Sequence, residues 1–71
     1  MSAHTASLIA SVLLWHNSRT APEHQVIVAD ALETCGLCRA ADLPDRATLV
    51  DMLCELPPVV GSALADEYTW F

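Results

Sequence analysis

Apolar residues recur at helical spacing from the first few positions of the chain. At ~100° per residue, Leu8, Ile9, Val12, Leu13 and Trp15 share an arc of about 160°, and His16 falls inside it. Ser7, Ser11, Asn17 and Ser18 lie opposite, with Leu14 alone among them. The pattern predicts a helix from about Ala3 to Ser18, capped by Ser2 or Thr5, with the first arc turned to the core. The serines are small, so their stripe either faces water or admits a second helix at close range.

The stretch Thr20–Cys38 reads as the helix around which the rest is organised. Thr20-Ala21-Pro22-Glu23 has the form of a capping box, with Pro22 in the first turn where a missing N–H costs nothing. Gly36 suits the left-handed residue that closes a helix, and Leu37 falls where a Schellman ending places an apolar contact back onto Leu32. Between these ends, from about Ala21 to Cys35, Ile27, Val28, Ala31, Leu32 and Cys35 form the apolar arc, together with His24. Glu23, Asp30, Glu33 and Thr34 face out. Val26 sits among the charges, so it is expected to be exposed or to touch a partner.

Asp42-Leu43-Pro44-Asp45 repeats the opening grammar 22 residues after Thr20. With Asp42 as cap it predicts a third helix, ending at Leu56 because Pro57 disfavours helical geometry before it. Apolar positions recur in step (Ile27 with Leu49, Val28 with Val50, Ala31 with Leu53), which suggests a faint two-copy helical repeat. Leu49, Val50, Met52, Leu53, Cys54 and Leu56 give this helix a broad apolar face. After Pro57-Pro58, residues Val59–Phe71 predict a short last helix despite Gly61. One of its stripes is Val60, Leu64, Tyr68 and Phe71; the other is Val59, Ala63 and Trp70. The fold class is therefore all-α: a single domain over residues 1–71, a small antiparallel bundle of three helices plus a short C-terminal helix.

Composition sharpens this. The chain has 71 residues, of which 54% are hydrophobic, against about 45–50% in ordinary domains. So short a chain buries only about 60% of its unfolded surface. Part of the apolar excess is thus expected at an interface. Nine acidic residues face three arginines and no lysine, for a net charge of −6. No basic footprint for nucleic acid or for an anionic membrane can be assembled. The apolar run Ala6–Trp15 is interrupted by Ser7 and Ser11 and is shorter than the ~20 residues a span needs. It lacks the flanks of a signal peptide, and the three cysteines are odd in number, so a cytoplasmic setting is expected.

Two cysteine and histidine sets carry candidate chemistry. Cys35-Gly36-Leu37-Cys38 has the spacing of redox and zinc motifs. A thioredoxin-like site needs βαβ surroundings that this chain lacks, and a zinc knuckle needs two further ligands. The plainer account is that Gly36 ends the helix and the thiols are small apolar neighbours. In an up-down-up bundle, His16, His24 and Cys54 come to one level and form a second conceivable zinc set. Lone histidines near helix ends more often find a carbonyl or solvent, so no metal and no cofactor are assigned. With only two glycines there is no phosphate-binding loop, and no nucleophile–base–acid set stands out. The chain is accordingly expected to be non-catalytic.

The expected role is protein binding, as an inhibitor, adaptor or escort chaperone of a larger protein, with self-association as a homodimer. Such a small acidic binder would suit a phage or mobile element. Leu14, Tyr68, Trp70 and Phe71 are the expected contacts, since aromatic anchors dominate interfaces. A Cys/His metal or redox module and a structural subunit of a larger assembly are the alternatives.

Overall fold

The computed structural model describes residues 1–69 and shows an all-α bundle: α1 (Ala3–Asn17), α2 (Pro22–Cys35), a 3₁₀ turn (Ala40–Asp42), α3 (Arg46–Cys54) and α4 (Pro58–Tyr68). Its radius of gyration is 10.9 Å, close to the ~11 Å of a compact chain this size. Trp70 and Phe71 lie outside the described residues.

Three of the helix openings are set by proline. The residue before a proline is pushed to extended geometry. Ala21 (φ −66°, ψ 133°) and Pro57 (φ −55°, ψ 145°) both obey, so α2 opens at Pro22 and α4 at Pro58. The capping box expected on Thr20 therefore does not form: Ala21 holds the cap position, with no side-chain cap hydrogen bond. Leu43, ahead of Pro44, is likewise extended (ψ 122°). A helix capped at Asp42 is thus excluded, and α3 begins instead at Arg46, behind Asp45. The Asp45 carboxylate accepts a hydrogen bond from the Thr48 hydroxyl at 2.6 Å. With helix starts at Pro22 and Arg46, the 22-residue step is lost, and the apparent repeat reflects similar openings only.

Other ends match expectation. Ser2 caps α1, its hydroxyl accepting from the Thr5 amide at 3.2 Å. Gly36 takes the left-handed conformation (φ 67°), and the Leu37 and Gly36 amides donate to the Leu32 and Glu33 carbonyls at 3.3 and 3.1 Å. These two bonds are the Schellman ending.

The core consists of Ala6, Ile9, Ala10, Leu13, Val28, Ala31, Leu32, Leu49, Leu53 and Leu64. Its hub is α1, which packs on α3, α2 and α4; α2 and α3, although consecutive, form no substantial packed interface. A tight α2–α3 hairpin, which an antiparallel bundle of consecutive helices would contain, is absent. Residues 36–45 instead form a long link whose 3₁₀ turn docks on α2.

The buried face of α1 is turned by about 100° from the arc expected for it. Ala6, Ile9, Ala10 and Leu13 are buried, while Leu8 and Trp15 are 36% and 50% exposed. Alanines at positions 6 and 10 let neighbouring helices approach, and a core this small has no room for an indole. The serine side is not open water either. Arg46 donates from its guanidinium to the Ser11 and Ser7 hydroxyls at 2.6 and 2.7 Å and to the Ser7 carbonyl at 3.3 Å, tying α3 to α1. In α4, Gly61 and Leu64 are buried with Val60 and Tyr68 half-buried beside them, while Val59 is 82% exposed.

Candidate protein-docking face

Leu8, Val12 and Trp15 stand at i, i+4 and i+7 on α1, on the side turned away from the core. This is the spacing of a helix seam, yet within the described chain it meets water: Leu8 and Trp15 are exposed and Val12 is half-buried. Trp15 is held in place. The Arg19 guanidinium carbon lies 4.2 Å from its ring centroid. Edge-on rings of His16 and His24 stand 4.9 and 5.6 Å away. An aromatic fixed between a cation and two imidazoles loses little further freedom on contact with another surface.

Two depressions border this seam. The first, about 390 Å³, is lined by Ser11, Val12, Trp15 and His16. The second, about 790 Å³, crosses from α1 to α2 and α4. Its apolar lining is Val12, Val26 and Ile27, and its rim carries Asp30, Asp66 and Glu67 beside Tyr68. Val12 and His16 line both, so the two depressions adjoin along α1. Val26 is 65% exposed at the edge of the second, the groove spanning α1, α2 and α4.

His16 and His24 come together, their ring centroids 5.1 Å apart. Each has a buried Nδ1 without a hydrogen-bond partner. Burial lowers the His16 pKa, and the neighbouring His24 and Arg19 push it the same way, so the ring is neutral near pH 7. Cys54 does not complete a site with them: among the described residues no group of three or more His, Cys, Asp or Glu side chains is placed to hold a metal. The Cys35–Cys38 pair is free and half-buried. Burial, then the proximity of Cys38, raises the Cys35 thiol to about 11; burial and Asp42 raise Cys38. Reactive and metal-binding cysteines need the opposite shift, toward thiolate.

Of the residues expected to meet a partner, Tyr68 lies on the groove, and burial with the Glu67 and Asp30 carboxylates raises its pKa. Leu14 is half-buried and packs on the core. Trp70 and Phe71 lie outside the described residues. The Leu8–Val12–Trp15 seam was assigned to the interior by its periodicity; the one signal against that was the pair of alanines on the neighbouring arc. Among the described residues no helix is long and apolar enough to cross a membrane.

Comparison with known families finds no matching family model, and searches of curated proteins and of solved structures find no match.

Proposed function

We propose that this protein is a non-catalytic protein-binding module, an inhibitor, adaptor or escort of a larger protein, that docks its partner across α1, α2 and α4. The observation that carries this reading is the exposed i, i+4, i+7 seam Leu8–Val12–Trp15, bordered by a groove whose other apolar edge is the exposed Val26. The small core satisfies the bundle without these side chains, so their apolar surface is surplus to folding. Trp15 and Tyr68 supply aromatic anchors of the kind that dominate binding energy. Trp70 and Phe71, following Tyr68 directly, extend the same set of proposed contacts.

The test is a photo-crosslinking amino acid placed at position 26 in the cells that make the protein. One discrete adduct is expected from position 26 and none from position 55, an exposed site on the C-terminal cap of α3. No adduct from position 26, or the same adducts from both positions, would contradict the reading.

A further inference from the structure

The groove carries information about what fills it. Asp30 enters from α2, and Asp66 and Glu67 from α4, so two helices bring carboxylates to a groove also lined by Val12, Val26 and Ile27. None of the lining residues is Lys or Arg. The three arginines of the chain are engaged elsewhere: Arg19 over Trp15, Arg39 with Asp42 at 3.2 Å, and Arg46 with Ser7 and Ser11.

We propose that the groove binds a basic amphipathic segment of another protein, one that lays apolar side chains on Val12, Val26 and Ile27 and sets lysine or arginine against Asp30 and Asp66. This rests on the docking-face reading. A purely apolar occupant would draw the Asp30 and Asp66 carboxylates out of water without bringing a cation to them, which is costly. A second copy seated here would set the same carboxylates against each other, and like charges juxtaposed across an interface oppose it. Anionic lipid and nucleic acid meet the same repulsion. A basic segment gains complementary charge, which sets partner choice and on-rate more than raw affinity.

The experiment titrates the full chain by calorimetry with a 14-residue leucine–lysine amphipathic helix and with its leucine–glutamate counterpart. The proposal expects saturable 1:1 binding of the lysine peptide only. It expects at least about a fivefold loss in D30N/D66N, corresponding to about 1 kcal/mol, and little change in D51N/E55Q, which removes the same charge from exposed positions on α3 and its cap. Circular dichroism checks that both variants fold. Equal losses in the two variants would mean bulk charge attraction and overturn the proposal. Equal binding of both peptides, abolished by V26S, would overturn the basic partner while leaving the docking face standing. A homodimer that excludes both peptides and dissociates in V26S would make a second copy the occupant. No binding by a monomeric chain would overturn the proposal, with the crosslink from position 26 left to decide the docking face on its own.

Discussion

Burial is the largest influence on His16, where α1 meets α2. His16 is held below its ordinary pKa of 6.5, chiefly by burial. Above 6.5 it is neutral in both folded and unfolded chains, and its contribution to stability is fully present. As pH falls below 6.5 the unfolded chain takes up a proton that the folded chain resists, so stability drops toward the lower folded value. The melting temperature of the wild-type chain should therefore fall between about pH 7.5 and 5.5, and H16L should flatten that fall; an unchanged slope would mean that His16 titrates freely. Cys35 gives the opposite case. With its thiol raised to about 11, its iodoacetamide labelling in the native protein should be at least about tenfold slower than that of an ordinary exposed thiol. Site-resolved mass spectrometry reads this directly, and preferential labelling of Cys35 would contradict the buried placement. Neighbouring leucines on α1 should differ just as sharply. Leu13 is fully buried and Leu8 is 36% exposed. L13A should cost about 2–5 kcal/mol, enough to unfold a domain with roughly 3–5 kcal/mol to spare, and L8A less than about 1 kcal/mol; urea denaturation separates them.

At the scale of elements, the hub role of α1 rests on small residues and one long cation. Arg46 is exposed, but it satisfies two serine hydroxyls and a carbonyl on the neighbouring helix. R46A should lower stability by about 1 kcal/mol. Gly61 is buried in α4, where an added Cβ would come within 3.4 Å of the flexible end of Met1. That contact is ordinary van der Waals distance, so G61A should raise stability by about 0.5–1 kcal/mol through helix propensity. A loss in thermal melting would show that Met1 cannot adjust. Helix existence and the endings at Ser2 and Gly36 were legible in the sequence because caps and a left-handed glycine are local physics. The openings at Thr20 and Asp42 were misread for an equally local reason: the restriction on the residue before proline overrides the appeal of a capping side chain. The hub and the rotation of α1 were not legible. Leu8, Val12, Leu14 and Trp15 leave that helix apolar almost all round, so periodicity alone does not select the buried side. The choice is made by Ala6 and Ala10, through how closely other helices approach. The nearness of His16 and His24 was readable from the short link between their helices; Arg46 reaching Ser7 and Ser11 was not, since 35 or more residues separate them.

For the whole molecule, a bundle this small has built its core from alanines, leucines and one valine and isoleucine, and has left Leu8, Trp15, Val26 and Val59 exposed. Trp15 and Val26 border a groove, and the groove is acidic in a protein whose net charge is −6. Shape and charge together are what support the proposal that the α1–α2–α4 face docks another protein. Native mass spectrometry of the full chain with the leucine–lysine peptide tests this most directly, because one spectrum displays every competing species. The account predicts a monomer that takes up one peptide. A homodimer that leaves the peptide free, or a chain that collects several peptides without a defined stoichiometry, would contradict it.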